Sequence, residues 1–264
     1  MSYSPDLNSD TAYLIGVVAG DGCITKYISS KRTDYKVEVF GDLIDEPDFF
    51  KILIKLFSEQ FGIIPKLIVN KDCLRLRLNF KFILEFFEEN GLKAGKKARI
   101  IQIPKKIKQN KKFLLSFMRG LADTDFCLTF KKRHKQINYY PVISAEFASN
   151  KLIQDICEVI SMLGISYTYT RRIRKTGFGN PADYPSFCIN INGIENLKKW
   201  MDSIGFRNPK HLTKLILWQK TGFCPAHTKY PERINILKNI PVAGLEFADF
   251  HSVYENLRQP SGSS

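Results

Sequence analysis

The sequence predicts an α+β fold in which one αββαββα unit is used twice. Three observations lead to this prediction: two apolar helices that each end in an acid, paired alternating segments after each helix, and glycines that stop the later helices at matching places. The first helix is predicted within Tyr13–Gly22 and ends in Asp21, and the second within Phe117–Phe126 and ends in Asp125. The numbers of these two acids differ by 104, which gives the length of the repeat.

The first half follows from its periodicity. Alternation of apolar and polar residues predicts strands, and a 3.6-residue period followed by glycine predicts helices. The predicted strands are Cys23–Ser30, Tyr35–Phe40, Ile64–Asn70 and Cys73–Asn79. The predicted helices are Glu46–Phe61, stopped by Gly62, and Phe80–Asn90, stopped by Gly91.

The second half repeats this order. Its predicted strands are Cys127–Arg133, Tyr139–Phe147, Ser166–Arg174 and Ser186–Asn192, and its predicted helices are Lys151–Leu163 and Ile194–Ile204, stopped by Gly164 and Gly205. We therefore expect a first repeat with a Lys-rich linker over residues 1–108 and a second repeat over 109–222. An extension without a repeat counterpart is expected over 223–264.

The composition indicates a globular protein with a polyanionic partner. The 264 residues include 40 Lys and Arg against 26 Asp and Glu, a formal net charge of +14, and such an excess favours nucleic acid. No apolar run approaches the ~18 residues of a membrane span, and no secretory signal is visible, so we expect an intracellular protein, cytoplasmic, nucleoid or organellar, that is not secreted and binds no membrane. Six scattered cysteines without a C-x-x-C pair argue against structural zinc and a disulfide framework.

The two acid-ending helices predict a metal site. Small residues four positions apart on a helix let two backbones pack closely, and if these helices pair, Asp21 and Asp125 become neighbours. Helix C-termini carry partial negative charge, so two carboxylates there repel unless a divalent cation such as Mg²⁺ lies between them. On a basic chain, this chemistry favours phosphodiester hydrolysis. The small residues are Gly16 and Gly20 in the first helix and Gly120 and Thr124 in the second.

The segments Leu14–Gly22 and Met118–Phe126 resemble the paired motif of LAGLIDADG homing endonucleases, in the single-chain form with two motifs. The resemblance covers about residues 10–220. It implies a homing endonuclease fold with two pseudo-symmetric halves and antiparallel DNA-binding sheets. It also implies Mg²⁺-dependent cleavage of both strands of a long asymmetric site, leaving short 3′ overhangs. Two positions depart from the family pattern, Ala19 in place of Asp and Phe126 in place of the final Gly.

The resemblance also implies roles for particular residues. Lys96 and Lys210 are repeat-related, lie at the entry to the last helix of each half, and are candidate basic catalytic residues. Mg²⁺ is the expected cofactor, and Mn²⁺ or Ca²⁺ are further expected occupants of its site. The implied metal ligands are the carboxylates of Asp21 and Asp125 and the backbone carbonyls of Gly20 and Thr124.

Strands with one apolar and one basic face predict a DNA-binding surface. A twisted sheet can lie along the major groove with alternate side chains directed at base edges, and basic hairpin tips would contact phosphates. Two acids on these faces could accept from cytosine N4. The predicted DNA-binding residues are Lys26, Lys31, Arg32, Lys36, Glu38, Arg75, Arg77, Asn79, Thr129, Lys131, Arg133, Lys135, Glu146, Thr168, Thr170, Arg172, Arg174 and Lys175.

The favoured interpretation is a monomeric, site-specific endonuclease acting on double-stranded DNA. An RNA-binding maturase that assists splicing of its own intron stays open, with intron RNA as the partner. A non-cleaving DNA-binding regulator of the same fold is a second alternative, and it predicts the loss of at least one acid, whereas both are present. Because the chain starts Met-Ser-Tyr, without the Cys or Ser nucleophile of an intein, a free or intron-encoded enzyme is expected.

Overall fold

Two helices packed against each other form the centre of the fold. They are α1 (Ser9–Ala19) and α5 (Lys111–Asp125). Each begins after an asparagine, Asn8 or Asn110, whose side chain accepts hydrogen bonds from first-turn N–H groups and so satisfies donors that a helix start leaves unpaired. The computed structural model describes residues 5–28, 30, 33–95, 98–174 and 184–240.

A four-stranded antiparallel sheet follows α1. Its strands have the order β1-β2-β4-β3, and the apolar side of the sheet is covered by two helices. The helix α2 ends where Gly62 takes a left-handed conformation with φ of 65°, as the glycine stop predicts. The elements are β1 (Gly22–Ile28), β2 (Thr33–Asp42), α2 (Pro47–Phe61), β3 (Lys66–Asn70), β4 (Cys73–Leu78) and α3 (Lys81–Glu89).

The second half has the same architecture after α5. Its sheet has the order β5-β6-β8-β7, again with antiparallel pairs, so the predicted α+β class with two αββαββα units is confirmed. A short helix, α4 (Lys105–Lys108), connects the halves. The elements are β5 (Phe126–Lys131), β6 (Tyr140–Phe147), α6 (Asn150–Met162), β7 (Thr168–Arg174), β8 (Tyr184–Asn192) and α7 (Ile194–Ser203).

Apolar residues of both halves form one continuous core. Phe126, which takes the place of the motif's final glycine, is 2% exposed, and its ring centroid lies 5.2 Å from that of Trp200 and 5.8 Å from that of Phe147. The departure from the family pattern therefore contributes a core side chain directly after Asp125. Every helix among the described residues is too short or too polar to span a lipid bilayer.

Two helices follow the second αββαββα unit, α8 (Pro209–Thr221) and α9 (Tyr230–Asn239). The second of them contacts the first half at the start of α2. The backbone N–H of Tyr230 donates to Asp45 (2.6 Å), and its hydroxyl donates to Asp48 (2.6 Å). We call residues 223–240 the C-terminal strap, because they join the end of the second half to the first half.

Candidate active site and DNA-binding surface

The close approach of α1 and α5 depends on two glycines. A Cβ atom on Gly16 would lie 2.1 Å from the carbonyl oxygen of Phe117, and one on Gly120 would lie 2.1 Å from that of Tyr13. These equal distances reflect the pseudo-symmetry of the pair. Since real Cβ atoms essentially never come within 3.0 Å of such neighbours, the contact requires glycine at both positions. The predicted packing of the two motif helices is confirmed.

The helix pair brings the two motif acids to the same place. Asp21 follows the C-cap residue Gly20 of α1, and Asp125 is the last residue of α5. A Cβ atom built on Gly20 would lie 2.8 Å from Asp125 Oδ2 and 2.1 Å from Thr124 Oγ1, so the second acid and its neighbour reach the backbone beside the first acid. Both aspartates are half-buried.

Only oxygen donors are expected to hold a metal here. Within the described ranges, no group of three or more His, Cys, Asp or Glu side chains could hold a metal ion. The oxygen donors at the two helix ends are the carboxylates of Asp21 and Asp125 and the backbone carbonyls of the residues before them. A Mg²⁺ site typically has only one or two protein carboxylates, and substrate phosphates and water complete its coordination. Zinc sites instead use three or four protein ligands, mostly nitrogen and sulfur.

Lys210 lies at the start of α8 and contacts Glu46, an acid of the first half. Its Nζ donates to Glu46 Oε1 at 2.7 Å, and its side chain is largely buried. Burial acts to lower the pKa of Lys210, but the negative charges of Glu46 and Asp21 outweigh it and the pKa is raised. The structure therefore places this predicted basic residue, as a cation, within charge-interaction range of Asp21. Its repeat counterpart Lys96 lies outside the described residues.

A second lysine of α8, Lys214, faces the same region one turn later. Its Nζ donates to the carbonyl oxygen of Leu128 at 3.0 Å, just after the start of β5. Burial is the main cause of the lowered pKa of Lys214. No sequence motif indicated a role for Lys214, although its spacing of four from Lys210 puts both on one helix face.

Asp123 connects the central helices to the loop that precedes α8. Its carboxylate is fully buried and accepts hydrogen bonds from the Tyr13 hydroxyl (2.6 Å) and from the backbone N–H groups of Arg207 and Asn208 (both 2.9 Å). Burial raises the pKa of Asp123 to about 6, against the effect of these hydrogen bonds. Ala19 is its repeat counterpart, so this asymmetry in the motif was the available sequence signal.

The first sheet has a polar face built on Glu38 and two arginines. Glu38 Oε1 accepts from Arg77 Nε at 2.7 Å and lies 3.6 Å from Arg75 Nη1. Lys36 shares this face by strand alternation, as predicted. Lys26 does not: it is two residues from the buried Ile24 and pairs with Tyr35, so it projects from the apolar side of the sheet.

The second sheet has an equivalent polar face. Arg174 Nε donates to Glu146 Oε1 at 2.7 Å, and this hydrogen bond is the main reason that the pKa of Glu146 falls to about 2. Each acid predicted to read cytosine is thus paired with arginine in the DNA-free protein. The strand register places the other predicted members on the same face, namely Thr129, Lys131, Thr168, Thr170 and Arg172.

Three predicted contacts lie beyond the strands. Asn79 follows the end of β4. Arg133 is not part of β5, because that strand ends at Lys131 and Arg133 adopts a φ of 48° in the following turn. Its guanidinium lies 4.3 Å from the centroid of the Tyr140 ring, and Lys135 Nζ lies 4.9 Å from that of Tyr139. Both cations are therefore held at a hairpin tip by aromatic rings.

The polar faces contain further residues that were not predicted from the sequence. They are uncharged or lie on strands with weak alternation, which is why they gave no basic pattern. These additional members of the polar faces, placed by strand register, are Thr25, Lys66, Asn70, Ser144, Asn190 and Asn192.

The predicted contacts Lys31, Arg32 and Lys175 lie outside the described residues.

No protein-family model matches the chain. The replication factor C small subunit of Methanocaldococcus jannaschii is 28% identical over 211 residues, which are 80% of this chain. The chain spans only 10% of the length of that relative.

Solved structures of homing endonucleases share the fold. I-DmoI in complex with DNA and Ca matches with a TM-score of 0.50 and 16% identity, over 74% of this chain and 88% of that chain. An I-DmoI variant with nicked target DNA and Mn matches with a TM-score of 0.51 and 15% identity, over 75% and 95%. A variant of I-SmaMI matches with a TM-score of 0.51 and 13% identity, over 97% and 98%. The chain therefore has the fold of single-chain, two-motif homing endonucleases.

Proposed function

We propose that the protein is a metal-dependent endonuclease that cleaves both strands of a long, asymmetric DNA site. The observation that carries this proposal is the close approach of the Asp125 carboxylate to Gly20, where a built Cβ would lie 2.8 Å from Asp125 Oδ2, beside Asp21. Strands β1 and β5 start directly after these acids, so the two polar sheet faces extend from the acid pair. DNA and divalent metals in the I-DmoI complexes support this proposal.

Mg²⁺ fits the donor set as the proposed cofactor. The carboxylates of Asp21 and Asp125 and the carbonyls of Gly20 and Thr124 would hold it, because hard oxygen donors suit this ion. When bound, it would lower the pKa of a water molecule and stabilise the leaving oxygen of a phosphodiester. Mn²⁺ would be an alternative occupant.

The protein's own residues supply charge and positioning in this proposal. Lys210 would place a buried cation against the negative charge that develops on a phosphate, an effect that is stronger where water is excluded. The arginines of the two faces would bind phosphates and base edges, with Glu38 and Glu146 exchanging their arginine partners for bases. Because both acids belong to one chain, the protein would act as a monomer and read two different half-sites.

A cleavage selection tests the proposal. The wild type and an Asp21→Asn/Asp125→Asn variant would be incubated with randomised duplex DNA and with genomic DNA flanking the gene, with Mg²⁺ or with a chelator. Asp202→Asn is the matched control, because Asp202 is an exposed acid on α7. We expect metal-dependent cuts at one long motif from the wild type and the control, and none from the double variant. Binding without cutting by the wild type would refute the nuclease. Cutting by the double variant would refute the assignment of Asp21 and Asp125 as the metal-binding acids.

A further inference from the structure

A buried acid of the first half, Glu46, contacts the predicted catalytic lysine of the second half. We propose that Glu46 is a positioning residue that holds Lys210 for the cleavage of one DNA strand, so that the two strand cleavages depend on different supports. This inference rests on the proposed nuclease function. It concerns a residue that neither motif contains and that lies 164 residues from its lysine partner.

Both carboxylate oxygens of Glu46 accept hydrogen bonds, and two of the three donors belong to the segment that carries Lys210. Its Oε1 accepts from Lys210 Nζ (2.7 Å) and from Asn208 Nδ2 (2.9 Å), and its Oε2 accepts from the backbone N–H of Asp42 (2.8 Å). The residue is 4% exposed. A buried carboxylate with this many donors has one geometry available, and the lysine that pairs with it is fixed in the same way.

Glu46 is not serving its own helix. It is the N-cap residue of α2, yet its side chain makes no capping hydrogen bond to that helix. An N-cap acid ordinarily accepts from the second or third N–H of its helix. Here the carboxylate points instead to the loop and helix start that carry Asn208 and Lys210. The start of α2 thus fixes the backbone of Glu46, and the carboxylate of Glu46 makes a contact between the two halves.

Fixing Lys210 matters because lysine is a flexible side chain. Its ammonium group is a point charge on a four-carbon stem, and an unpaired stem samples many rotamers. Asn208 is held independently by Asp123, through its backbone N–H (2.9 Å) and through Nδ2 to the Asp123 carbonyl (3.0 Å). Removal of the Glu46 carboxylate would therefore release the lysine head group and leave the loop anchored.

The second half has no acid at the equivalent helix start. There α6 begins after Ser149, whose hydroxyl donates to the carbonyl oxygen of Ile101 at 2.6 Å and accepts from Leu152 N at 3.3 Å. A carboxylate that positions a lysine across the halves is thus built at one of the two repeat-related N-caps. Loss of Glu46 should slow one strand cleavage and spare the other.

The test measures the two strand cleavages separately. Full-length protein in excess over a target duplex, with each strand end-labelled, gives a single-turnover rate for each strand at saturating enzyme, so that binding does not limit either rate. Glu46→Gln, Glu46→Asp, Lys210→Met and the Glu46→Gln/Lys210→Met double variant would be compared. Asp45→Asn is the matched control, because Asp45 also bridges to the second half, through Lys229 (3.2 Å), without touching Lys210. Circular dichroism and DNA affinity would show that each variant folds and binds.

For Glu46→Gln we expect cleavage of one strand to slow by up to about 100-fold, the effect of an ångström-scale misplacement, with nicked product accumulating. Glu46→Asp should restore part of that rate, and in the Lys210→Met background Glu46→Gln should have no further effect. Asp45→Asn should slow neither strand selectively. Equal slowing of both strands by Glu46→Gln, or full additivity with Lys210→Met, would overturn the role of Glu46 alone. A wild type that cuts neither strand would overturn the nuclease and this inference together.

Discussion

The Gly120→Ala substitution tests the central geometry most directly. The new Cβ would lie 2.1 Å from the carbonyl oxygen of Tyr13, whereas ordinary contact begins at 3.4 Å, so the helices α1 and α5 must separate by about 1 Å. Both atoms are tied to helix backbone and neither can rotate away. Overpacking of this kind costs about 1–3 kcal/mol, and the better helix propensity of alanine offsets about 1 kcal/mol. We expect a net loss of up to about 2 kcal/mol.

The effect on cleavage should exceed the effect on stability. Thr124 and Asp125 lie just over one helical turn from Gly120, so the separation moves one acid relative to the other. A misplacement of about 1 Å can lower a rate by about 100-fold, and we expect a loss of this size in single-turnover cleavage. Urea denaturation would give the free energy of unfolding, and the same protein samples would be used for the cleavage assay.

The control is Gly62→Ala at the end of α2. Gly62 has a φ of 65° with no atom within 4 Å of a built Cβ, so alanine there adds backbone strain of about 1–2 kcal/mol without pushing on a neighbour. It should match the stability loss and keep cleavage near the wild-type rate. Gly16→Ala, with the same 2.1 Å clash on the other helix, should behave like Gly120→Ala. Wild-type cleavage and stability for Gly120→Ala would refute the reasoning.

Two further substitutions test buried polar groups. Asp123→Ala should lower the free energy of unfolding by about 3 kcal/mol or more, because it leaves the buried N–H group of Asn208 and the partly buried N–H group of Arg207 without their acceptor. Wild-type stability in urea would contradict this. His211 is fully buried, neither ring nitrogen has a partner among the described residues, and burial lowers its pKa well below 6.5. The stability contribution of neutral His211 is present above pH 6.5 and falls as the pH drops, by up to about 1.4 kcal/mol per pH unit. Below pH 6.5, His211→Phe should therefore become more stable relative to the wild type, as measured by denaturation at pH 7.5 and 5.5. The same stability difference between the two proteins at both pH values would contradict this prediction.

The parts of the fold that local patterns specify were predictable from sequence. Alternation gave the strands, and glycine stops gave helix ends such as Gly62, since both depend on residues within one element. The paired motif gave the contact of the two helices, because only small side chains permit it. The ends of strands were harder to predict. Strand β5 ends at Lys131, because the chain turns at Arg133, which has a left-handed conformation.

Contacts between distant segments could not be read in the same way. Glu46 looked like an ordinary helix-start acid, and nothing local indicates that Lys210 would pair with it. Lys26 is part of an alternating segment, but its side chain lies on the same side of β1 as the apolar residues. Only the pairing register with β2 shows this. Asp123 gave a signal in its asymmetry with Ala19, although its partners lie 84 and 85 residues away.

The C-terminal strap limits how the two halves can be exchanged. Chimeras that combine halves of related proteins treat each repeat as a self-contained module. Here the strap that follows the second half carries Lys229 and Tyr230, whose partners Asp45 and Asp48 belong to the first half. A transplanted second half would therefore need acids at those two positions in its new host, or its strap would lose the surface on which it docks.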